Sequence, residues 1–236
     1  MSANTLTLKP VIHVIIPAYN EERSIGRVIA EVPADVASEI IVVNNASTDH
    51  TGEAALSAGA TVLNEPVPGY GQACLTGIAH CQTRAVLPDI VVFMDGDYSD
   101  YPEEMGSLVR PILEGQADLV IGSRALGRRE KGSMTIQQIF GNWLATSLLK
   151  FFFKANFTDL GPFRAIRFSA LIALGMKDTN YGWTVEMQVK AAKNKLRCVE
   201  IPVRYRKRIG VSKVSGTIKG TLMAGFKILY TLFRYL

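Results

Sequence analysis

Four short runs of the sequence are almost entirely apolar, and each is followed by a polar loop. The runs are VIHVII, EIIVV, DIVVFM and ADLVIG, with a shorter run, ATVL, between the second and the third. Strands that are apolar throughout and alternate with helices are typical of a parallel sheet covered on both faces. The sequence therefore predicts an α/β fold built on a Rossmann-like, mostly parallel sheet with helices on both faces.

The loops that follow these runs are expected to meet at one edge of the sheet. They begin at Pro17, Asn44, Met94 and Gly122. In open parallel sheets, ligands bind beyond the carboxyl ends of the strands. We therefore expect a functional site built from these four loops.

Helix signals lie between the predicted strands. Ser24 is placed to cap a helix running to about Val32, a second helix is expected from Thr51, and Pro102 suits the first turn of another. Later, TIQQIFGNWLATSLLKFFFK and WTVEMQVKAAKN read as helices and LRCVEIPVRY as a strand, whereas no element is predicted for TDLGPFRAIR. Because no Pro- or Gly-rich linker separates the halves, we predict one domain over residues 1–213 followed by a helix over residues 214–236.

The net charge of +5 is unevenly distributed along the 236 residues. From Lys195 to the end the chain carries ten Lys and Arg against one acid, whereas the part before it is slightly acidic. This basic segment predicts an anionic partner, either a phosphate, a nucleic acid or a lipid head-group surface. The N-terminus lacks a secretory signal, and three cysteines without metal-ligand spacing favour a reducing, cytoplasmic location.

The run ending at Met94 is followed directly by the acidic loop DGDYSD. Only one small residue, Gly96, separates Asp95 from Asp97, so both carboxylates can approach one hard cation from a tight turn. Mg²⁺ and Mn²⁺ accept such oxygen ligands while they share phosphate oxygens of a nucleotide. The alternative is an ordinary acidic surface turn.

Two other predicted loops carry polar side chains suited to a nucleotide. In PAYNEE, Tyr19 can stack on a ring and Glu21 can accept a hydrogen bond, and in NNASTD, Asn45 can read a base edge. In PGYGQA, two glycines allow the backbone to approach a ligand closely. Helix-entry loops and turns are the alternative in each case.

Taken in order, these motifs resemble a known family. IIPAYNE, IIVVNNASTD, FMDGD and VIGSR look like family 2 inverting glycosyltransferases, which have the GT-A fold. GPFRAIR and EIPVRYRKRIGVSK resemble its polyprenyl-phosphate branch, typified by dolichol-phosphate mannosyltransferase and dolichyl-phosphate glucosyltransferase. The resemblance runs from about Val11 to Lys213. It implies metal-dependent transfer of a hexose from a nucleotide sugar, UDP-glucose or GDP-mannose, to a polyprenyl phosphate.

The resemblance also implies roles for individual residues. Nucleoside contacts fall on Pro17, Tyr19, Glu21, Val43 and Asn45. Diphosphate and metal contacts, with Mg²⁺ or Mn²⁺ as cofactor, fall on Asp95, Gly96 and Asp97, and cations for phosphates fall on Arg124, Arg208 and Lys213. Two positions depart from the family: Asn44-Asn45 stands where Asp-Asp is usual, and Ser99 stands where the mannosyltransferases often have Gln.

The absence of a matching base favours a phosphate acceptor. Many family members use the Asp of a Glu-Asp pair as a general base for a hydroxyl, but here Glu186 is followed by Met187. A phosphate monoester has a second pKa near ~6 and is already mostly anionic at pH 7. Asp159 and Glu186 remain candidate bases for a hydroxyl acceptor.

The C-terminal segment predicts a basic amphipathic helix. Cations at 213, 219, 227 and 234 gather on one side, and apolar residues at 218, 222, 226, 229, 233 and 236 gather on the other. No uncharged stretch approaches the ~20 residues that a membrane span needs. We expect this helix to lie on an anionic membrane at its cytoplasmic face, the alternatives being packing on its own domain or a homo-oligomer contact.

Rival functions remain open from the sequence. A sugar nucleotidyltransferase would be expected to have an N-terminal glycine-rich loop, yet IIPAYNEERS has no glycine until Gly26. A nucleic-acid-binding protein would explain RYRKR but leaves Asp95 and Asp97 without a purpose, so we expect no nucleic-acid partner. The sequence does not reveal the sugar, and Asn45 slightly favours a UDP donor.

Overall fold

The computed structural model describes residues 9–210 and 218–236, which form a seven-stranded sheet with helices on both faces. The strands are β1 (Ile12–Ala18), β2 (Glu39–Asn45), β3 (Thr61–Glu65), β4 (Ile90–Phe93), β5 (Leu119–Ser123), β6 (Arg164–Arg167) and β7 (Cys198–Pro202). The helices are α1 (Ile25–Glu31), α2 (Thr51–Ser57), α3 (Tyr70–Gln82), α4 (Met105–Leu113), α5 (Ile136–Phe153), α6 (Phe168–Leu174), α7 (Trp183–Lys193) and α8 (Ile218–Arg234). The predicted α/β class is confirmed.

The sheet has the order β3-β2-β1-β4-β6-β5-β7, and only β6 runs antiparallel to its neighbours. The sequence prediction missed β6 and α6, because RAIR has two Arg in four residues and lacks the apolar run of the other strands. β6 is antiparallel because it begins beside Phe93, at the carboxyl end of β4. The chain therefore enters this strand from the edge at which its neighbours end.

Two apolar clusters, one on each face of the sheet, hold the layers together. On one face the side chains of Ile15, Ile41 and Phe93 pack with α3, α5, α6 and α7. On the other face Val14, Ile16 and their neighbours pack with α1, α2 and α4. Alternate residues of the same strand therefore enter opposite clusters, which is why the strand sequences are apolar throughout.

Two predicted helix starts differ in detail from the structure. Ser24 precedes α1, but its hydroxyl makes no capping bond and instead donates to the carboxylate of Glu21 at 2.9 Å. Pro102 begins a 3₁₀ turn, Pro102–Glu104, that leads into α4. Because a carboxylate accepts hydrogen bonds more strongly than a neutral group, the Ser24 hydroxyl is directed away from the helix end.

The C-terminal helix α8 packs on α5 and α7. Leu232 is buried, and the Lys227 ammonium lies 3.0 Å from the Asp178 carboxylate. This ion pair and the buried Leu232 agree with the alternative that the helix packs on its own domain. Phe226, Phe233 and Leu236 are exposed as expected for the apolar side. The division at residues 213 and 214 stays a prediction, because Lys213 lies outside the described residues.

Among the described residues, no helix is long and apolar enough to cross a membrane.

Arg164 of β6 is fully buried and joins the strand to α7. Its guanidinium donates to the backbone carbonyls of Leu160 at 2.9 Å, Gly161 at 3.0 Å and Thr184 at 3.1 Å. Burial lowers the pKa of this Arg to about 10, so the side chain remains charged at neutral pH. Three carbonyls beside the sheet edge depend on this one side chain.

We expect Arg164→Met to lower the free energy of unfolding by about 3 kcal/mol or more, because each buried acceptor left without a donor costs ~1–3 kcal/mol. Urea denaturation followed by circular dichroism measures the change. Arg167→Met on the same strand is the control, because the Arg167 side chain is 38% exposed and pairs with Asp118 at the surface. Equal losses of unfolding free energy for the two variants would contradict the role given to the buried hydrogen bonds of Arg164.

Candidate active site

A cavity of about 780 Å³ lies at the carboxyl edge of the sheet. Loops that follow β1, β2, β3, β4 and β5 form its polar side, and α5 and α8 form much of the other side. Nine residues predicted for the site line the cavity. They are Pro17, Tyr19, Glu21, Asn45, Asp95, Gly96, Asp97, Arg124 and Arg208. The loops expected to converge at this edge therefore do so.

Three other predicted residues do not line the cavity. Val43 belongs to the apolar cluster beneath the site, so its expected contact with a nucleoside is wrong for its side chain. Asp159 and Glu186 are buried behind the wall. Lys213, predicted to contact a phosphate, lies outside the described residues.

The loops after β1 and β2 are joined by hydrogen bonds. The backbone N–H of Asn20 donates to the Ser47 hydroxyl at 3.0 Å, and the Asn20 carboxamide oxygen accepts from the Thr48 N–H at 2.8 Å. The Glu21 N–H donates to the Thr51 hydroxyl at 2.8 Å. These bonds fix the part of the loop that presents Tyr19, whose ring is 45% exposed at the cavity wall.

Asn45 holds the loop between β3 and α3. Its amide N–H groups donate to the carbonyls of Glu65 at 3.2 Å and Val67 at 2.6 Å, and its oxygen accepts from the Gly69 N–H at 2.8 Å. Both donors of the amide are therefore used within the protein, and only an oxygen lone pair remains for a ligand. The slight preference for UDP based on Asn45 stays a prediction, and in this conformation Asn45 can only accept a hydrogen bond from a base.

Glu65 reinforces the same loop and was not identified from the sequence. Its carboxylate accepts from the Val67 N–H at 2.8 Å, the Gln72 amide at 3.0 Å and the Thr76 hydroxyl at 2.6 Å. These bonds, the one from Thr76 foremost, lower the pKa of Glu65. An acid at the end of a short, half-buried strand gave no sequence signal for this role.

Both glycines of PGYGQA approach the backbone of the loop before α7. Gly69 lines the cavity, and an added Cβ there would lie 2.2 Å from the carbonyl oxygen of Thr179. At Gly71 an added Cβ would lie 2.0 Å from the carbonyl oxygen of Asp178, so no side chain fits between the start of α3 and the loop before α7. The Gln72 N–H completes this contact by donating to the Thr179 carbonyl at 2.9 Å. The expected close approach is thus made to the protein's own backbone at both glycines.

The acidic turn after β4 concentrates negative charge in a nearly buried position. Burial, followed by repulsion from Asp97, raises the pKa of Asp95 to about 7, while Arg208 and Arg124 oppose the shift. Burial and the charge of Asp95 likewise raise the pKa of Asp100 well above its ordinary value. Such a cluster favours any cation that reaches it.

Arg208 supplies one such cation. Its guanidinium lies 2.8 Å from one oxygen of Asp97, and the other oxygen of Asp97 accepts from the Ser99 N–H at 2.9 Å. The Ser99 hydroxyl also donates to Asp97. Ser99, at the position where related mannosyltransferases often have Gln, therefore orients an acid of the turn.

Arg206 fastens the acidic turn to the segment after β7. Its guanidinium donates to the Tyr98 carbonyl at 2.7 Å and the Asp100 carbonyl at 3.1 Å, and it lies 3.4 Å from the centre of the Tyr98 ring. A contact of 2.6 Å with Glu31 completes the arrangement. Tyr98 has a φ of 69°, a conformation that costs a non-glycine residue free energy and that these contacts stabilise. The sequence showed only that this segment is basic.

Arg124 is held at the cavity by Asp159. Its Nε and Nη2 atoms donate to the two carboxylate oxygens at 2.9 and 2.6 Å, and its backbone N–H donates to Asp159 at 2.7 Å. Asp159 raises the pKa of Arg124 despite burial. Because both oxygens of Asp159 are occupied by Arg124, this carboxylate positions the guanidinium.

Glu186 connects α7 to its surroundings. Its carboxylate accepts from the N–H groups of Lys177 at 3.1 Å and Asp178 at 2.7 Å, from the Tyr235 hydroxyl at 2.6 Å, and pairs with Lys190 at 2.7 Å. Burial is the largest single effect on the pKa of Glu186 and raises it. The hydrogen bonds, those from Lys190 and Tyr235 foremost, together outweigh burial, so the pKa is lowered. The side chain is thus an anchor for α8.

The acidic turn fits a divalent metal ion. One oxygen of Asp95 and one of Asp100 are buried without a hydrogen-bond partner, and Asp95 lines the cavity. The described residues contain no group of three or more His, Cys, Asp or Glu able to hold an ion. Two carboxylates are nevertheless a suitable protein contribution, because Mg²⁺ sites commonly combine one or two carboxylates with substrate phosphates and water.

α5 and α8 contribute apolar side chains to the cavity lining, which the sequence did not predict. They include Phe140, Leu144 and Ala145 of α5 and Ile228 and Leu229 of α8. The lining therefore combines charged side chains from the sheet edge with apolar side chains from two helices. A ligand with an anionic head and a hydrocarbon body matches this distribution.

We expect Arg208→Gln to strengthen Mn²⁺ binding in the absence of a nucleotide by about tenfold, because an ion must otherwise displace the guanidinium from Asp97. Titration of Mn²⁺ monitored by electron paramagnetic resonance measures free ion directly. Arg204→Gln is the control, because Arg204 pairs with Glu103 and Glu104 outside the cavity wall. Weaker binding to Arg208→Gln than to the unsubstituted protein would overturn this prediction.

Comparisons with known proteins agree with this geometry. The chain is 35% identical over 214 residues to an uncharacterized glycosyltransferase of Mycobacterium tuberculosis, covering 89% of this chain and 93% of the relative. It is 32% identical over 221 residues to the undecaprenyl-phosphate mannosyltransferase of Micrococcus luteus, covering 87% of this chain and 88% of that protein. The resemblance to the polyprenyl-phosphate branch is therefore confirmed as a similarity.

The fold also matches solved structures. Glucosyl-3-phosphoglycerate synthase from Mycobacterium tuberculosis, in complex with Mn²⁺, UDP-glucose and phosphoglyceric acid, superimposes with a TM-score of 0.74 at 24% identity, covering 96% of this chain and 79% of that one. This likeness establishes the GT-A-like fold. The model of glycosyl transferase family 2 matches residues 13–175. The chain belongs to glycosyl transferase family 2.

Proposed function

We propose that this enzyme transfers a hexose from a nucleotide sugar to a polyprenyl phosphate, with inversion at the anomeric carbon. One observation carries the proposal: Arg124 and Arg208 line the same cavity as Asp95 and Asp97, and α5 and α8 add apolar side chains to its lining. Cations suit the acceptor phosphate, acids suit a metal-bound diphosphate, and the apolar side chains suit the isoprenoid chain. The relative from Micrococcus luteus is, by its name, an undecaprenyl-phosphate mannosyltransferase.

The donor nucleotide is assigned to the loops after β1 and β2. Tyr19 offers an exposed ring for stacking, and Pro17, Glu21 and Asn45 line the same part of the cavity. The hydrogen bonds between these loops keep that surface preformed, which limits the conformational entropy lost on binding. Either UDP-glucose or GDP-mannose is compatible with this assignment.

Asp95 and Asp97 would hold Mg²⁺ or Mn²⁺ at the diphosphate. Bound there, the ion supplies Lewis-acid stabilisation of the negative charge on the leaving nucleoside diphosphate. Ser99 orients Asp97, and Arg206 fixes the turn that carries both acids. A change that loosens this turn would therefore misplace both carboxylates together.

Arg124 and Arg208 hold the acceptor phosphate. Asp159 fixes the direction of the Arg124 guanidinium, and Arg208 can exchange Asp97 for a phosphate oxygen as its partner. A phosphate monoester is mostly ionised at pH 7, since its second pKa is near ~6. It therefore needs positioning by cations more than it needs a base.

The reaction is a single displacement. An oxygen of the acceptor phosphate forms a bond to the anomeric carbon while the bond from that carbon to the diphosphate oxygen breaks on the opposite face. One displacement inverts the configuration of the sugar. Lys213 belongs to the same proposal as a further phosphate contact, although it lies outside the described residues.

The enzyme would meet its acceptor at a membrane as a peripheral protein. The basic C-terminal segment suits an anionic surface, and no helix of the described residues spans a bilayer. A polyprenyl phosphate keeps its chain in the bilayer and exposes its head group. The cavity, whose lining includes both charged and apolar side chains, suits an acceptor presented in this way.

The decisive experiment measures transfer of labelled sugar from UDP-glucose and from GDP-mannose to undecaprenyl phosphate, dolichyl phosphate and the matching free polyprenols, with Mn²⁺ or with EDTA. We expect transfer from one donor to the phosphates only, and loss of transfer with EDTA. Transfer to the free alcohols instead would replace the proposed acceptor by a hydroxyl. Metal-independent transfer would remove the proposed metal site.

We expect Asp97→Asn to abolish measurable transfer while the protein remains folded, because the amide keeps the shape of the side chain but not its charge. Rates are compared at saturating donor, and circular dichroism verifies the fold. Asp35→Asn is the matched control, because Asp35 is exposed between α1 and β2, at the opposite edge of the sheet. Near-normal turnover by Asp97→Asn would contradict the assignment of Asp97 to the metal site.

We expect Glu186→Gln to lower thermal stability but to retain transfer within about tenfold, because Glu186 anchors Tyr235 and does not line the cavity. A general base normally contributes ~10²–10⁴-fold to the rate. Steady-state kinetics and thermal melting of the same samples separate the two effects. A loss of ~10²-fold or more in kcat, with stability unchanged, would make Glu186 the base and favour a hydroxyl acceptor.

A further inference from the structure

The outward side of α5 is unusually apolar for the surface of a protein. Ile136 is 83% exposed, Trp143 60% and Phe151 69%, and Ile139 and Phe140 are exposed beside them. The eighteen residues of α5 include one charged residue, Lys150. Surface helices normally direct charged or polar residues to solvent, so a face of this kind indicates a binding surface.

α8 extends this surface. Leu232 is buried on its inner side, and the ring of Phe233 contacts the Phe152 ring of α5, with 5.9 Å between the ring centres. Its outer side exposes further large apolar residues. They are Met223, Phe226, Tyr230, Phe233 and Leu236. Because the two helices touch, their exposed side chains form one face, which we call the α5–α8 face.

All the charge within the two helices is positive. α5 and α8 together contain no Asp or Glu, and their charged residues are Lys150, Lys219, Lys227 and Arg234. At the end of α5, Lys150 and Lys154 line a shallow hollow together with Ser147, Phe151 and Asn156. Lysine side chains next to exposed aromatic rings match an anionic, partly apolar partner.

We propose that the α5–α8 face is the membrane-binding surface of this protein, with Trp143 and Phe151 of α5 inserted at the head-group and acyl boundary and the Lys150–Lys154 hollow on anionic head groups. This goes beyond a membrane contact made by the C-terminal helix alone, because α5 supplies the most exposed of the large apolar side chains. Insertion is shallow and in the plane of the bilayer, since neither helix qualifies as a span.

The face and the cavity share residues. Phe140 is 59% exposed on the face and also lines the cavity, and exposed Gly225 of α8 lines it from the other helix. The cavity therefore opens where the bilayer would lie. If the proposed function holds, the acceptor phosphate enters the cavity between α5 and α8 while its isoprenoid chain remains among the lipids. This step rests on the proposed function.

The chain contains two tryptophans, which makes a direct test possible. Trp183 is 1% exposed and packs against Phe93, whereas Trp143 is on the α5–α8 face. We expect the Trp143 emission of Trp183→Phe to shift to the blue on addition of vesicles containing phosphatidylglycerol, and to be quenched by lipids brominated on their acyl chains. Trp143→Phe, in which only Trp183 remains, is the control and should show neither effect. Unchanged Trp143 emission would overturn the proposal.

Vesicle sedimentation with the otherwise unsubstituted protein gives a second test in case Trp183→Phe folds poorly. We expect Phe151→Ser and Phe226→Ser each to weaken binding by about tenfold, because each removes a large apolar side chain from the lipid contact. Leu56→Ser is the matched control, because Leu56 of α2 is 66% exposed, as is Phe226, but lies on the opposite side of the sheet. Equal losses of vesicle binding for all three variants would contradict the proposal that the α5–α8 face binds the membrane.

A face covered by a second copy is the competing outcome. In that case Trp143 would already emit at short wavelength without vesicles, the protein would sediment as a dimer, and Phe151→Ser would produce monomers. Neither binding experiment uses donor, acceptor or metal. Failure of the transfer assay therefore leaves the membrane result standing, and failure of membrane binding leaves the transfer assay unaffected.

Discussion

The balance of charge at the acidic turn after β4 is the constraint on which the rest of the site depends. Three carboxylates are held there in a nearly buried position, and their mutual repulsion must be offset by cations. Arg208 contacts Asp97 directly, and Arg124 acts from β5 while Asp159 holds it in place. Arg206 fixes the backbone of the turn. The same cations that stabilise the turn are those that suit phosphates.

This arrangement needs strands that end at a common edge. β1, β2, β4 and β5 lead into the loops that bring Tyr19, Asn45, Asp95 and Arg124 to the cavity, and β7, parallel to β5, directs the segment carrying Arg206 and Arg208 back to that edge. The antiparallel β6 lies between β4 and β5. Buried Arg164, the first residue of β6, bonds this strand to the backbone carbonyls around it. The charged side chains of the cavity are thus carried by the edge of the sheet, while α5 and α8 contribute apolar side chains.

Several features followed from the sequence because local pattern and chemistry determine them. The apolar strands, the alternation of strands and helices up to β5, and the clustering of loop residues at one edge all agreed with the structure. Asp95 and Asp97 were recognisable because they are separated by one small residue and directly follow an apolar run, where both carboxylates can approach one cation. Nothing in the sequence indicated the contacts whose partners are distant in the chain: Asn45 bonds to the β3–α3 loop, and Lys227 pairs with Asp178.

The sequence by itself determined the α/β class, the family and the acids at the end of β4, because periodicity, apolar runs and short motifs are local properties of the chain. Only the tertiary structure decided that Asp159 holds Arg124, that Arg206 fastens the acidic turn, and that β6 is antiparallel. It also decided that α5 and α8 lie side by side around the cavity. These features depend on contacts between residues far apart in the chain, and the free energy of such contacts is set by packing and burial rather than by any local pattern.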